Sequence, residues 1–318
     1  MNKLIVLAYN EELGIEKTIL DLIDHFEEII VINDKSKDGT LEKIQNLSKN
    51  HEKVTIISNN KNLGPGKSMD IGIKQAISSP CEFIVKIDGD NQFKAEDIKS
   101  ILSKASSKNA DFIKCDRFWV GGVKGDIPKI RYLGNSFASL LIKIVTGNWK
   151  INDPLNGLFL FSYDLALKFK IPKFFNRYGY PFFINAYVSR LSIDNDYKLY
   201  QYKNQITYGS ESSKLNPITV FLKLIIFSIS YFASTIKTKV KYSTYQLSGL
   251  IDLFALTSII FSVFSLIMTL STRYFGYQGN QGAWLILFVI MLSIFFLLIF
   301  QTQKILRFIN EDKFTYLN

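Results

Sequence analysis

Over the first hundred or so residues, short runs of aliphatic and β-branched side chains alternate with longer runs whose apolar positions recur at helical spacing. Residues 3–8, 28–32, 54–58 and 83–87 read as buried strands, and 12–26, 39–48, 67–77 and 95–108 as the helices between them. Strands joined by helix-length connections predict an α/β domain with a mainly parallel sheet, its ligands gathered at the carboxyl ends of the strands. Polar residues stand at those ends: Tyr9-Asn10-Glu11, Asn33-Asp34 and Asp88-Gly89-Asp90. After another strand at 111–115 the pattern loosens. Gly121, Gly122 and Gly125 predict a flexible loop, 130–145 a helix, and 157–161 and 198–206 further strands.

The C-terminal third differs in kind. Residues 253–270 and 283–300 are each 18 residues long without a charged side chain, which meets the minimum for crossing a bilayer core as a helix. Two transmembrane helices are expected rather than two buried core helices, because the polar domain before them looks complete. Residues 218–236 are apolar but hold Lys223 and several hydroxyls, with Ile218, Phe221, Leu222, Ile225, Ile229, Phe232, Ala233 and Ile236 on one face. That pattern predicts a helix lying in the membrane interface, a third crossing being the rival. Lys237, Lys239 and Lys241 precede the first span, Lys304 and Arg307 follow the second, and Arg273 alone lies between. The positive-inside rule then puts both ends of the hairpin, and the polar domain, on the cytoplasmic face. The expected division is 1–214 for the α/β domain, 215–245 for the juxtamembrane helix and linker, and 246–318 for the hairpin and a cytoplasmic tail.

Composition narrows the classes. The 318 residues suffice for one sizeable domain plus an appendage. The net charge of +10 is spread over scattered lysines with no nucleic-acid-reading motif, so an anionic membrane surface or a phosphorylated substrate explains it better than nucleic acid. Cys81 and Cys115 both lie in apolar stretches, which implies neither a disulfide framework nor a thiolate metal site and suits a reducing cytoplasm. The chain enters Leu4-Ile5-Val6-Leu7 without a charged leader and cleavage site, so the polar domain is expected to stay where it is made.

Closely spaced carboxylates after a buried strand, as in Asp88-Gly89-Asp90, make a poor core but a good hard-cation site. Mg2+ or Mn2+ prefers such oxygens and completes its shell with phosphate and water. Gly89 is expected to turn the chain so that both acids face one ion. The same tripeptide is also a common turn. Asp34, after the second strand, is placed to accept hydrogen bonds from a ribose or base, and Asp38 can instead cap the next helix. Asn62-Leu63-Gly64-Pro65-Gly66-Lys67-Ser68 resembles a phosphate loop, but Lys61 and Met69 stand where Walker and dinucleotide motifs need glycine, which argues against an NTPase or a dinucleotide-dependent oxidoreductase.

Taken together, Ala8-Tyr9-Asn10-Glu11-Glu12, Asn33-Asp34-x-Ser36-x-Asp38-x-Thr40, Asn62-x-Gly64-x-Gly66 and Asp88-Gly89-Asp90-x-Gln92 resemble, in order and spacing, the family-2 glycosyltransferases of the GT-A fold. The resemblance implies a Rossmann-like catalytic domain that binds a nucleotide-sugar donor. Its nucleotide would lie near Ala8, Tyr9, Asn10, Glu11, Asp34 and Gly64, with diphosphate and metal at Asp88, Asp90 and Gln92, and Asp90 taking part in catalysis. Leu7 stands where a proline is usual, and Met69-Asp70 differ from the common pairs, which blurs the donor. Asp116-Arg117-Phe118, Pro128-x-x-Arg131-x-x-Gly134-Asn135-Ser136, Asp153-Pro154-x-Asn156-Gly157 and Tyr208-Gly209-x-Glu211-Ser212 narrow the resemblance to polyprenyl-phosphate glycosyltransferases. There Arg117, Arg131 and Ser136 would hold the acceptor phosphate, although either arginine alone reads equally well as a surface ion pair.

A lipid monophosphate carries a charge of about −1.5 to −2 near neutral pH, so its oxygen attacks the anomeric carbon without a strong general base. The enzyme then aligns the reactants and neutralises the departing diphosphate, with inversion. Asp153 is the carboxylate expected at the reacting centre, orienting the sugar, or acting as base if the acceptor is a hydroxyl. That hydroxyl acceptor, on a lipid-linked or polysaccharide chain, is the second reading, and a non-catalytic nucleotide-binding membrane scaffold is the third. The exposed hairpin also offers a surface for homo-oligomers.

Overall fold

The computed structural model describes residues 1–119, 123–124, 129–207, 217–274 and 280–317. Strands β1 (Asn2–Ala8), β2 (Glu28–Asn33), β3 (Val54–Ser58), β4 (Phe83–Asp88) and β5 (Phe112–Asp116) alternate with helices α1 (Ile15–Leu20), α2 (Thr40–Asn50), α3 (Pro65–Ala76) and α4 (Ala95–Lys108), as the periodicity predicts. The helix expected over 12–26 is shorter, giving way after α1 to a 3-10 turn at Ile23–His25. Ile15, Ile19, Leu22 and Phe26 all still reach the core, so the apolar spacing survives the tightened backbone. Then come β6 (Val123–Lys124), α5 (Lys129–Thr146), β7 (Phe159–Ser162), α6 (Tyr163–Leu167), α7 (Tyr180–Asp194), β8 (Leu199–Lys203) and β9 (Ile206–Thr207). Three long helices follow, α8 (Pro217–Lys241), α9 (Ser243–Tyr274) and α10 (Gln281–Ile309), and a last strand, β10 (Thr315–Tyr316). The glycine loop, Pro128, the Tyr208–Ser212 stretch and the expected boundary at residue 214 lie outside the described residues.

Eight strands form one sheet in the order β10-β8-β5-β7-β4-β1-β2-β3, and β6 pairs with β9 apart from it. All neighbours in the large sheet are parallel except β7, which runs antiparallel to β4 and β5. Both faces are covered. Ile5, Leu7, Ile30 and Ile32 pack with side chains of α3, α5 and α7 on one face, and Leu4, Val6, Ile29 and Val31 with those of α1, α2 and α4 on the other. Burial on both sides explains why these strands read as continuous apolar runs rather than alternating ones.

Helix α7 escaped the periodicity. Tyr180, Phe182, Phe183, Ile184, Ala186 and Val188 are all buried, so the helix is apolar nearly all round and shows no stripe. Strand β10 escaped as well, being two residues long. It follows α10 and returns to the α/β domain, where it pairs in parallel with β8. Phe314 beside it is fully buried in the core, a burial that contributes about 1.5–3 kcal/mol.

Helices α8, α9 and α10 are each long and apolar enough to cross a membrane. Helix α8 differs from the other two in its contacts: Leu224 and Tyr231 enter the core of the α/β domain, and Phe137 of α5 lies 4.4 Å from Phe221. Its opposite side leaves Leu222, Ile226 and Ile229 exposed. The far end of α10 is anchored too, through the Trp149 indole donating to Gln303 Oε1 at 2.9 Å and the Gln303 amide donating to the Ile144 carbonyl at 2.8 Å.

Candidate active site

The chain leaves β1 towards β2 and β3, then returns to the other side of β1 with β4. Such a reversal opens a crevice outside the carboxyl ends of the two strands, where open α/β sheets bind ligands. Ala8 ends β1, Asp88 ends β4, and the Gly89 amide donates to the Leu7 carbonyl at 2.9 Å, tying the two ends together. Gly89 does not supply the turn expected of it. The left-handed residue is Asn91, with φ 58°. A Cβ at Gly89 would lie 2.7 Å from Ile15 Cδ1, so this glycine serves close packing.

The antiparallel β7 has a second effect. It enters the sheet at the edge where β4 and β5 leave it, so the loop before it carries Asp153, Asn156 and Gly157 back to Asp88 and Asp116. Register places Lys86 of β4 and Lys114 of β5 on either side of Phe159, so all three side chains share one face. Both lysines are fully buried. Lys86 Nζ lies 2.6 Å from Asp88 Oδ1. Burial alone would lower its pKa, but Asp88 and the neighbouring Tyr180 phenol outweigh that and raise it. Burial in turn pushes Tyr180 up to about 12. Lys114 donates to the carbonyls of Cys115 and Asn152, and burial lowers its pKa. Neither lysine was singled out from sequence, yet the signal was present: each strand ends Lys-x-Asp, and alternation puts lysine and acid on the same side of a strand.

Asp153 and Arg117 turn out to be partners. The Arg117 Nε lies 2.8 Å from Asp153 Oδ2, a close ion contact without hydrogen-bond alignment, and its Nη2 donates to Oδ1 at 3.2 Å, so the contact is two-pronged with one hydrogen bond. The Arg117 backbone amide and the Asn156 side-chain amide also donate to Oδ2, at 3.2 and 3.1 Å. Asp153 is held with φ 44°, a region that residues other than glycine enter infrequently, and its side chain is wholly buried. Both Asp153 oxygens are committed in this way, and the contacts fix the Arg117 side chain beside it.

Asp34 is likewise occupied. Its carboxylate accepts from the Asn59 amide at 2.7 Å and from the backbone amides of Leu63 and Gly64 at 2.8 Å each, so it fixes the loop that leads into α3. Gly64 adopts φ 93°, and a Cβ at Gly66 would stand 1.8 Å from the Phe175 carbonyl oxygen. These glycines let α3 dock against residues 175–177. Gly66→Ala is therefore expected to destabilise the protein by about 1–3 kcal/mol or more, read as a fall in Tm of the detergent-solubilised protein. Asp38 is not the N-cap of α2 open to it from sequence, a position that Gly39 takes; one residue earlier, it accepts from the Thr40 amide at 3.1 Å and the Thr40 hydroxyl at 2.6 Å and closes the turn into the helix. Asn10, at φ 59°, accepts from the Lys37 amide at 2.8 Å, which joins the loops after β1 and β2. Tyr9 and Glu11 are half-buried at the crevice.

A model of "Glycosyl transferase family 2" matches residues 3–167, just over half of the chain. The chain belongs to that family. This family-2 protein is 36% identical over 142 residues to an uncharacterised protein of Methanocaldococcus jannaschii, covering 44% of this chain and 60% of the other. It is 27% identical over 172 residues to a UDP-N-acetylglucosamine–dolichyl-phosphate N-acetylglucosaminyltransferase of Methanococcus voltae, covering 50% and 68%. It is also 27% identical over 179 residues to a dolichyl-phosphate beta-glucosyltransferase of Trichomonas vaginalis, covering 51% and 52%. The chain thus spans about half to two thirds of the length of these relatives. Among solved structures, glucosyl-3-phosphoglycerate synthase from Mycobacterium tuberculosis in complex with UDP aligns at a TM-score of 0.48 with 17% identity, covering 74% of this chain and 79% of that one.

The family-2 site has a donor set suited to a hard divalent cation. Asp88 keeps 37% of its side chain exposed, and a Cβ at Gly157 would stand 2.6 Å from its Oδ2, so the glycine preserves space beside that oxygen. Asp90 and Gln92 lie next to it on the same loop, half-buried. No group of three or more His, Cys, Asp or Glu side chains gathers among the described residues. A two-carboxylate site of this kind fits Mg2+ or Mn2+, which take their remaining ligands from phosphate and water.

The groups expected for the acceptor are spread over two elements. Phe118, next to Arg117, meets Tyr132 of α5 with ring centroids 5.8 Å apart, so the first turn of α5, which holds Arg131, lies beside the Arg117 segment. The Arg131 side chain is outside the described residues. Ser136 is exposed and donates to the Tyr132 carbonyl of its own helix at 3.0 Å. On the other flank, the C-terminal strand brings Tyr316 to the same edge. Its hydroxyl donates to Asp116 Oδ2 and accepts from the Asn152 amide at 2.8 Å. Burial raises the phenol's pKa and the bond to Asp116 adds to that, so it remains a donor. Tyr316→Phe removes a bond to a charged group and is expected to cost about 1.5–3 kcal/mol of stability, read as a lower Tm. Because Asp116 adjoins Arg117, the same variant should raise KM for the acceptor while nucleotide affinity stays unchanged.

Proposed function

We propose that this protein is a membrane-bound inverting glycosyltransferase that moves a hexose from a nucleoside-diphosphate sugar to a polyprenyl phosphate at the cytoplasmic membrane face. The observation that carries this reading is the commitment of Asp153 to Arg117. The carboxylate expected at the reacting centre, which could serve as a base only for a hydroxyl acceptor, is bound on both oxygens, and beside it stands a guanidinium in a form suited to phosphate. An acceptor already carrying a negative oxygen needs such a cation and needs no base. In this reading Arg117, with Arg131 from α5, aligns the lipid phosphate, and the polar ends of β1 and β2 hold the nucleoside. Lys86 orients Asp88 from below. Asp88 and Asp90, with Gln92, would hold a divalent cation, whose contribution is to stabilise charge on the leaving diphosphate.

The path of the chain supports the membrane arrangement. Helix α8 leaves the α/β domain, α9 and α10 pack together as a hairpin, and β10 rejoins the same sheet. Start and finish on one side require an even number of crossings. With α9 and α10 as the two crossings, α8 lies along the interface, where its Leu224–Tyr231 side meets the domain and Leu222, Ile226 and Ile229 face the lipid. The proposed division is then an α/β catalytic domain, an interfacial helix and a hairpin whose tail is part of the catalytic sheet.

The test is to incubate membrane-extracted protein with a panel of UDP and GDP sugars, polyprenyl phosphate and Mg2+ or Mn2+, and to weigh the lipid product. A hexosyl phosphopolyprenol from one donor is expected. Nucleotide-stabilised protein that glycosylates no lipid with any donor would instead support a non-catalytic scaffold.

A further inference from the structure

Away from the sheet edge, a cleft of about 380 Å³ lies between α7, α8 and the segment after α6. Tyr180, at the start of α7, sits under Lys86, whereas Arg190 in the cleft is ten residues further on, about 15 Å along the helix. The cationic end of the cleft is therefore remote from Lys86, and its aromatic end begins at Phe183, one turn after Tyr180. Its floor is aromatic: Phe183 stacks on Tyr187 with centroids 5.4 Å apart, and Phe227 of α8 lies 5.8 Å from Phe183. Over this floor stand two cations, Lys170 and Arg190. Among the described residues neither forms an ion pair with a carboxylate.

The place of the cleft on α8 decides between possible anions. Phe227 and Ser230 each follow by one residue a member of the exposed stripe, Ile226 and Ile229, so they lie about 100° around the helix from it. With that stripe in the lipid, the cleft opens at the depth of the headgroups. A free phosphate ion would gain from the cations and nothing from the aromatic floor. A phospholipid uses both, with its phosphate against Arg190, Lys170 and Ser230 and its upper acyl chain against Phe183 and Phe227.

We propose that this cleft binds an anionic glycerophospholipid of the surrounding bilayer. The assignment rests on the interfacial seating of α8 and is independent of the transfer chemistry. Basic side chains near an anionic membrane surface each add to binding, and a fixed apolar floor adds selectivity for a lipid over a soluble ion.

The full chain, in nanodiscs of phosphatidylcholine with a minor fraction of phosphatidylglycerol, provides the test, with co-purifying lipid counted by native mass spectrometry. Wild type should retain phosphatidylglycerol over phosphatidylcholine, and K170E/R190E should lose that preference by about tenfold or more. R190Q should lie between them. Glycosyl transfer in detergent at saturating substrates should be the same for all three, which reports that they are folded. In detergent, phosphatidylglycerol should raise the Tm of wild type, whereas inorganic phosphate should not. An unchanged preference in K170E/R190E overturns the proposal, and so does stabilisation by inorganic phosphate equal to that by the lipid. The seating of α8 is read separately, from the accessibility of a nitroxide on I229C in a C81S background to lipid-soluble oxygen. A nitroxide in lipid together with no phosphatidylglycerol preference removes the headgroup site alone. A nitroxide in water removes the seating and the site together.

Discussion

Arg117→Ala and Asp153→Asn are each expected to lower kcat/KM for the lipid acceptor by about 10²–10³-fold, and the double variant should be little worse than the poorer single. The expectation follows from the two-pronged contact, in which each residue works through the other. Removing Arg117 also leaves Asp153 buried without its charge partner, a change that costs about 3–5 kcal/mol of stability in comparable settings, so Tm should fall sharply for Arg117→Ala. Asp153→Asn keeps the shape and should fall less. Arg117→Lys is informative as well, because an ammonium keeps the charge but cannot reproduce the fork. If Asp153 were a base for a hydroxyl acceptor, Asp153→Asn would far exceed Arg117→Ala and the two losses would add. Steady-state kinetics of the four proteins with one donor separate the cases.

Asp88→Asn and Gly157→Ala should fail together. The aspartate carries one oxygen on Lys86 and offers the other to a space that Gly157 leaves open. Amidation removes the charge, and a methyl group at 157 occupies the space. Each is expected to reduce transfer by about 10²–10³-fold or more through lost stabilisation of the leaving diphosphate. Each should also abolish the extra thermal stabilisation that Mn2+ gives in the presence of nucleoside diphosphate. Binding of polyprenyl phosphate should be unaffected, since Arg117 is intact. A Gly157→Ala protein with normal metal-dependent stabilisation would show that the open space beside Asp88 is not used.

The strand–helix series and the polar ends of β1, β2 and β4 were legible because burial on both sheet faces leaves continuous apolar runs, each broken by a few conspicuous polar residues. Asp34 and Gly64 were each placed near the nucleotide as parts of separate motifs, and their tie to each other appears only when the β2 and β3 loops come together in space. The pairing of Arg117 with Asp153 spans 36 residues and depends on β7 inserting antiparallel, which no local pattern announces. Lys86 and Lys114 were overlooked although a lysine inside a buried strand demands a partner; the Lys-x-Asp ending named that of Lys86, whereas Lys114 turns to the carbonyls of Cys115 and Asn152. Helix α7 has no polar face to reveal its period. The return of the tail through Phe314 and Tyr316 rests on two paired residues, too few for alternation to be seen.

The central claim is that the acceptor is a phosphate and not a hydroxyl. Polyprenyl phosphate and the corresponding polyprenol, offered in equal amounts with the productive nucleotide sugar and divalent metal, compete for the same transfer. Mass analysis, with the anomeric configuration read by NMR, should find the sugar on the phosphate alone and its configuration inverted. Sugar on the polyprenol hydroxyl, or retained configuration on the phosphate, would contradict the account.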